Sequence, residues 1–196
     1  MGLIEGNMIQ PVRATDLLIA PPGMPDPRFR DAVMMLTHVN NQGSFALCVN
    51  RATEYTLNDV VDNIDDINLP EHMPNVPVYW GGPMGTTSIW MIHSTDWQGD
   101  RTVQLTDQWA MTSNVEMFHC IANGDHPQQF RMVMGYASWA PNQLQAELKG
   151  LGPWRKENSW LVAHNLGPDW LLEQAPEGLW TNVVTLSSNQ AVDSWF

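Results

Sequence analysis

The sequence predicts an α+β fold built on a mixed or antiparallel sheet. Strand-like segments outnumber helix-like segments, and the two kinds do not alternate strictly, as they would around a parallel sheet. The chain has 196 residues, of which 43% are hydrophobic, so it can form a core without metals or disulfides. No repeat, low-complexity stretch or Gly/Ser linker divides it. We therefore predict one domain over residues 1–196, with residues 1–12 and 187–196 at its periphery.

The N-terminal part predicts a short strand followed by a hairpin. Residues 17–20 form a short apolar run, and three of residues 21–27 precede prolines, which favours an ordered turn over a helix there. Residues 32–39 and 44–50 are apolar, β-compatible runs joined by Asn40-Asn41-Gln42-Gly43. Turn-forming residues between two such runs predict a β-hairpin.

An amphipathic helix is predicted over residues 56–64. Apolar residues recur at i, i+3, i+4 and i+7 from Leu57 to Ile64, which places them on one helix face. Thr56 and Asp59 have the spacing of a capping box, so the helix is expected to begin there.

Two further helices are predicted from their end signals. Ser113 and Glu116 have capping-box spacing, and Gly124 fits the end of that helix. Pro141 fits the first position of the other helix, and Gly150 fits the position just past its end.

The remaining strands are predicted from apolar, β-compatible runs. These runs are residues 76–80, 88–94, 130–136 and 160–164. Gly81-Gly82-Pro83 separates the first two and predicts a tight turn. A last helix is predicted over residues 178–186.

Charge is distributed unevenly along the chain. Nine Lys and Arg residues face 21 Asp and Glu residues, for a formal net charge of −12. Residues 1–51 are neutral overall, whereas residues 52–125 carry one basic and eleven acidic side chains. Binding to phosphates requires clustered Lys and Arg, so the composition argues against direct nucleic-acid binding and against anionic membranes. The acidic residues of 54–71 predict a solvated helix face and a loop, with docking of a basic partner as the alternative.

The cysteines and the N-terminus indicate the compartment. Cys48 and Cys120 lie in apolar segments without a CxxC partner, which favours buried, reduced thiols over a disulfide. The first residues lack the apolar segment of a signal peptide, and no run of about 18 uncharged apolar residues could span a membrane. We expect a cytoplasmic protein.

Four motifs carry a resemblance to a known family. They are Asp26-Pro27-Arg28-Phe29 with His38, Gly43 and Asn50-Arg51; Val78-Tyr79-Trp80-Gly81-Gly82-Pro83 with His93-Ser94; Gly135-Tyr136-Ala137-Ser138-Trp139 with Gln143-Leu144; and, more weakly, Asn158, Trp160 and Trp180. In these motifs the chain resembles the YqgE/AlgH family, a bacterial family of largely unassigned function. The resemblance implies a compact α+β domain with a bulged, twisted sheet. Some members carry the label of transcriptional regulator, and the resemblance brings no catalytic residues. The chain departs from the family's glycine pattern at Ala46, Ser138 and Asn142.

Arg51 is the first candidate for binding. It follows an apolar strand and Asn50, and it is the last cation before the acidic stretch. A guanidinium binds carboxylate or phosphate bidentately, so Arg51 could clamp an anion; an internal salt bridge to Asp26 or Asp31 is the alternative. Gly81-Gly82-Pro83 could present backbone N–H groups to an anion, or serve only as a turn.

The histidines offer a second candidate chemistry. His38 and His93 could meet across the sheet and bind a metal with Asp26. No metal-binding spacing supports this, so hydrogen-bonded structural histidines are preferred and neither a metal nor another cofactor is predicted. A catalytic triad of His93, Ser94 and Asp96 is disfavoured because successive strand residues point to opposite faces.

These features support three functional hypotheses. The first is a non-catalytic binding or regulatory protein of the YqgE/AlgH type, acting through a protein partner or a small anionic ligand. The second is a hydrolase-type enzyme or nucleotide binder with a cleft near Arg51, the histidines and Gly81-Gly82-Pro83, and the third is direct nucleic-acid binding by residues 1–51. We prefer the first. Its candidate binding residues are Asp26, His38, Asn50, Arg51, Gly81, Gly82 and His93.

Overall fold

The computed structural model describes residues 11–62, 64–151 and 159–193. The strands of this part are Leu17–Ile19 (β1), Val33–Asn40 (β2), Gly43–Cys48 (β3), Ala52–Thr56 (β4), Pro77–Trp80 (β5), Met84–Ser94 (β6), Val103–Gln104 (β7), Trp109–Thr112 (β8), Phe130–Trp139 (β9) and Leu161–Ala163 (β10). The helices are Leu57–Val61 (α1), Glu116–Ala122 (α2), Gln143–Leu148 (α3), Pro168–Glu173 (α4) and Pro176–Asp193 (α5), with a 3-10 turn at Pro27–Phe29. Asn158 of the fourth motif and residues 1–10 of the peripheral N-terminus lie outside the described residues.

The strands form one curled, ten-stranded sheet. Its order is β10-β1-β2-β3-β9-β6-β8-β7, with β5 paired to β9 and β4 paired to β5. Only the β5–β9 pairing is parallel within the described residues. Register shifts interrupt the β2–β3 and β6–β9 ladders, and such bulges bend and twist a sheet. The predicted α+β class and the bulged, mixed sheet are confirmed.

The hydrophobic core explains why the central strands are apolar without alternation. In β1, Leu17 and Ile19 pack in one cluster and Leu18 packs in another, and β2 alternates in the same way. Helices α4 and α5 cover the first cluster, and α3 covers the second. A strand buried on both faces needs apolar side chains at every position.

Most of the predicted strands and helices are present. The predicted hairpin turn, the start of α1 and the end of α2 are observed. The hairpin forms from β2 and β3, with Asn40 opposite Gly43 at its turn. Thr56 donates its N–H to the Asp59 carboxylate at 2.7 Å, which confirms the capping box of α1. Gly124 ends α2, and its N–H donates to the Ile121 carbonyl at 3.0 Å.

Two helix starts are predicted wrongly. Ser113 does not cap α2, because the side-chain oxygen of Asn114 accepts the N–H of Glu116 instead. Helix α3 begins at Gln143 rather than at Pro141, because Asn142 has a left-handed backbone with φ of 64°. The sequence patterns also missed α4 and the strands β4, β7 and β8.

Within the described residues, no helix combines the length and apolar composition needed to cross a membrane. Cys48 is buried and Cys120 is half-buried, and both are free thiols.

Candidate functional site

Arg51 stabilises the turn that carries the first motif through hydrogen bonds to its backbone. Its two terminal nitrogens donate to the carbonyls of Arg28 at 2.6 Å and Arg30 at 2.8 Å. Its guanidinium carbon lies 4.8 Å from the centroid of the Trp80 ring. Among the described residues Arg51 forms no salt bridge, and Asp26 pairs with Arg28 instead, so the expected bridge to Asp26 or Asp31 is wrong.

Asn50 fastens the same segment from its other end. Its side-chain oxygen accepts the N–H of Val33 at 2.8 Å, and its side-chain nitrogen donates to the carbonyl of Asp31 at 2.8 Å. Asp31 has a left-handed backbone with φ of 56°, a conformation that needs support from its surroundings. The Asn50-Arg51 pair therefore positions residues 28–33 through backbone contacts.

His93 is a buried structural histidine. Its Nδ1 lies 2.8 Å from the Ser94 carbonyl, and its Nε2 lies 3.0 Å from the Thr112 hydroxyl. Because a carbonyl only accepts, Nδ1 carries the proton and the Thr112 hydroxyl donates to Nε2. Thr112 then accepts from the Thr102 hydroxyl at 2.7 Å. Burial lowers the pKa of His93, which favours the neutral ring.

The side chains of Ser94 and Asp96 hydrogen-bond to each other, and within the described residues neither side chain forms a hydrogen bond with the imidazole. The Ser94 hydroxyl donates to the Asp96 carboxylate, which also accepts the N–H of Gln128 at 3.0 Å. Burial opposes ionisation of Asp96, but these hydrogen bonds outweigh it and lower its pKa. The triad geometry is not formed, as the strand periodicity predicted.

His38 lies apart from His93. It is exposed on β2, where its Nε2 lies 2.7 Å from the side-chain nitrogen of Asn40. No group of three or more metal-ligating His, Cys, Asp or Glu side chains occurs within the part of the chain that the structure describes. The structure does not bring His38, His93 and Asp26 together.

Gly81 and Gly82 allow their own backbone to pack closely against the backbone of β9. A Cβ at Gly81 would lie 2.2 Å from the carbonyl oxygen of Gly135, and one at Gly82 would lie 2.1 Å from the carbonyl carbon of Tyr136. The N–H of Gly81 already donates to the Met134 carbonyl at 2.7 Å. These glycines therefore serve close packing against β9, and the Gly81 amide is not available to an anion.

The first three motifs meet at one cleft. Its volume is about 380 Å³. The residues that the three motifs contribute to its lining include Asp26, Arg28, Pro83, Ser138, Trp139 and Gln143. Of the seven predicted binding residues, only Asp26 lines it. A second, polar cleft of about 320 Å³ lies beside Ser94, Asp96 and Asp169.

Glu147 places a buried carboxylate in the first cleft. It is 5% exposed, and its Oε2 accepts the indole N–H groups of Trp139 and Trp160, each at 2.9 Å. Its Oε1 accepts from the side-chain nitrogen of Gln143 at 3.0 Å. Sequence reasoning missed Glu147, although its i, i+4 spacing from Gln143 places both side chains on one face of α3.

Aromatic rings surround this carboxylate. The ring centroids of Trp139 and Trp160 are 6.0 Å apart, and those of Phe29 and Trp160 are 5.9 Å apart, both in edge-to-face arrangements. At the rim, Arg28 contacts Asp26 at 2.7 Å, and its hydrogen bonds lower the pKa of Asp26. The cleft thus combines an aromatic wall, one compensated acid and one buried acid.

The comparisons with known proteins agree with the motifs. The sequence profile of AlgH-like proteins matches residues 17–191. This chain belongs to the AlgH-like family. A UPF0301 protein from Rhizorhabdus wittichii is 30% identical over 179 residues, covering 89% of this chain and 95% of that protein. A UPF0301 protein from Pseudomonas putida is 32% identical over 183 residues, covering 87% and 90%.

Solved structures of AlgH-like fold match as well. The solution structure of the AlgH protein from Pseudomonas aeruginosa has a TM-score of 0.72 and 29% identity, covering 87% of this chain and 86% of that one. A crystal structure of a Corynebacterium diphtheriae protein has a TM-score of 0.66 at 19% identity, covering 88% and 86%, which supports the fold alone.

The AlgH-like glycine pattern is replaced here by residues that fit their positions. Asn142 takes the left-handed conformation with φ of 64°, which Asn tolerates better than most residues. Ala46 is fully buried in β3 opposite Ala137. Ser138 lines the cleft, and its hydroxyl lies 3.0 Å from the Met84 sulfur. Of these three residues, Ser138 lines the cleft, and Ala46 and Asn142 do not.

Proposed function

We propose that this AlgH-like protein is a non-catalytic binding protein whose ligand site is the cleft containing Glu147. The observation that carries the proposal is convergence: motifs centred on Asp26, Pro83 and Trp139 are far apart in sequence yet line one cleft. Small-molecule sites are concave and mostly apolar, with a few fixed polar groups. A regulatory role would then follow from ligand or partner binding rather than from contact with DNA.

The lining of the cleft does not favour catalysis. Its described residues include no His and no Cys, the groups that most often act as base or nucleophile. The Ser138 hydroxyl donates to the sulfur of Met84 at 3.0 Å. The hydrolase alternative near Arg51 and His93 is weakened because both side chains already hold the fold.

The charges at the cleft also argue against a small anion. Among the described residues that line it, two carboxylates, Asp26 and Glu147, accompany a single guanidinium, Arg28, and Asp26 already pairs with that guanidinium. An added anion would approach the Glu147 carboxylate without an available cation among the described lining residues, which is unfavourable at a desolvated site.

A protein partner could use a different surface. The acidic side chains within residues 54–71 are exposed, as expected for a solvated face. Such a surface suits a partner with a basic patch, and it repels nucleic acid.

A blocking variant tests the ligand site. Ser138→Phe fills the cleft from β9, and Thr87→Phe adds the same ring at an exposed position on β6 outside the cleft lining. A small-molecule fragment library is screened by NMR against both variants and the native protein. We expect fragments that perturb the Trp139 and Trp160 indole signals in the native and Thr87→Phe proteins but not in Ser138→Phe. If no fragment perturbs these signals, or if Ser138→Phe binds the same fragments at the same affinity, the proposal is wrong.

A further inference from the structure

We propose that the cleft binds an organic cation, with an ammonium group held beside Glu147 and among Phe29, Trp139 and Trp160. This inference rests on the proposed function, because it names the ligand class of the same site. It reverses the sequence-based expectation of an anionic ligand.

The first argument is the charge of Glu147. Its three donors, from Trp139, Trp160 and Gln143, are neutral N–H groups. No salt bridge reaches Glu147 from another described residue. A buried charge without a counter-charge is costly even when it is hydrogen-bonded. A ligand cation would supply that counter-charge.

The second argument is the remaining hydrogen-bonding capacity of the carboxylate. A carboxylate offers about four acceptor positions over its two oxygens. Two donors bind Oε2, and within the described residues Gln143 alone binds Oε1. Oε1 therefore keeps room for another donor or for a close positive charge in the cleft.

The third argument is the aromatic wall. Rings attract cations through the negative charge of their faces, and Phe29 of this wall and its neighbour Trp80 already do so. Arg28 lies 5.7 Å from the Phe29 centroid, and Arg51 lies 4.8 Å from the Trp80 centroid. Donation of the Trp139 and Trp160 N–H groups to a carboxylate increases the electron density of both indoles, which strengthens their attraction for a cation.

The size of the cleft fits a small ligand. A volume of about 380 Å³ is near the lower end of ligand sites, which span roughly 300–1,000 Å³. An alkylammonium head of the size of choline is well within that volume. A neutral apolar ligand of the same shape would leave Glu147 without a counter-charge from the described residues, so charge should decide affinity.

Choline and its uncharged carbon isostere, 3,3-dimethyl-1-butanol, make a matched pair of probes. Each is titrated into the native protein while the indole signals of Trp139 and Trp160 are followed by NMR. We expect choline to bind about tenfold more tightly than the isostere. In Glu147→Gln, which keeps the side-chain shape and leaves the aromatic wall in place, the preference for choline should fall from about tenfold to about threefold. Phe29→Leu provides a second variant that keeps the cleft apolar, and it should weaken choline several-fold with little effect on the isostere.

The outcomes distinguish the cation inference from the proposed ligand site. Equal binding of choline and the isostere to the native protein overturns the cation inference and leaves the ligand site standing. If fragments bind at the cleft and choline does not bind, the cation inference is again overturned and the ligand site stands. If neither probe and no fragment perturbs the indole signals, the ligand site itself is wrong. Should Glu147→Gln unfold, judged by near-UV circular dichroism, Phe29→Leu decides: an unchanged preference for choline contradicts the aromatic contribution.

Discussion

Arg51 lies with its guanidinium over the Trp80 ring, 4.8 Å from the ring centroid. Because its nitrogens also hold the carbonyls of Arg28 and Arg30, this one side chain ties the turn of the first motif to the strand of the second. Phe29, carried on that turn, packs in turn against Trp80 and Trp160. Arg51 therefore supports the wall of the cleft that Phe29 forms, although Arg51 does not line the cleft itself.

Replacement of Arg51 by Lys should destabilise the protein. An ammonium cannot span two carbonyls in the fixed geometry of a guanidinium, and each hydrogen bond from a charged donor contributes about 1.5–3 kcal/mol. We expect Arg51→Lys to lower the free energy of unfolding in urea by about 2 kcal/mol. The control is Arg30→Lys, which changes an exposed side chain and should stay within about 0.5 kcal/mol of the native protein. Equal stability of both variants would remove the structural role of Arg51.

Asn142 stands at a position where the resemblance to the family implies glycine, and replacing it with glycine tests the role of its backbone conformation. Its φ of 64° is free of strain for Gly and costs about 1–2 kcal/mol for a residue with a Cβ. Thermal unfolding should find Asn142→Gly at least as stable as the native protein and Asn142→Ala less stable by about 1 kcal/mol. The reverse order would mean that the side chain of Asn142, and not its backbone conformation, determines the start of α3.

Gly81 gives a steric prediction that a second glycine controls. In Gly81→Ala the new Cβ would meet the Gly135 carbonyl at 2.2 Å. The Gly81 backbone is held by hydrogen bonds to Met134 and Cys48, and Gly135 lies within β9. We expect the variant to lose at least about 3 kcal/mol or fail to fold. Gly124→Ala faces open space but has φ of 75°, so it should lose only about 1 kcal/mol. Similar losses in the two variants, measured by urea unfolding, would contradict the close-packing argument.

Elements whose signals lie within one turn of the chain were predictable from the sequence, and elements that depend on a distant partner were not. The capping box of α1 was predictable because Thr56 and Asp59 carry it within one turn. Strand β4 was not, because its mostly exposed side chains leave no hydrophobic alternation and its partner β5 lies some twenty residues further along the chain.

The candidate site follows the same rule. Asp26 was found through a motif. Glu147 becomes a candidate only because the indoles of Trp139 and Trp160, which lie on different elements, donate to its carboxylate. For Arg51, the acidic surroundings predicted a carboxylate partner. Its actual partners are backbone carbonyls, which every residue carries and which no residue pattern singles out.

Ser94 should not behave as a catalytic nucleophile. Its hydroxyl donates to Asp96, while the Nε2 of His93 is occupied by Thr112, so no imidazole is placed to accept its proton. We expect no labelling of the protein by a fluorophosphonate probe under conditions that fully label a known serine hydrolase added to the same sample. Labelling that disappears in Ser94→Ala would revive the hydrolase hypothesis.

His93 should make stability depend on pH in a defined direction. Burial lowers its folded-state pKa below the ordinary 6.5, so on acidification the unfolded chain binds this proton before the folded protein does. The free energy of unfolding is then fully retained above about pH 6.5 and falls below it, by at most about 1.4 kcal/mol per pH unit for one proton.

The measurement compares urea unfolding of the native protein and of His93→Gln between pH 7.5 and 5.5. Every other ionisable side chain is the same in both proteins, so the difference between the two pH slopes isolates His93. The native protein should lose more stability than the variant over this range, because only the native protein must keep a neutral imidazole among Ser94, Thr112 and Trp97. Identical slopes would show that folding does not lower the pKa of His93. A native protein that loses less stability than the variant would show that the folded imidazole binds its proton more tightly than the unfolded one, and the assigned direction of its hydrogen-bond chain would then be wrong.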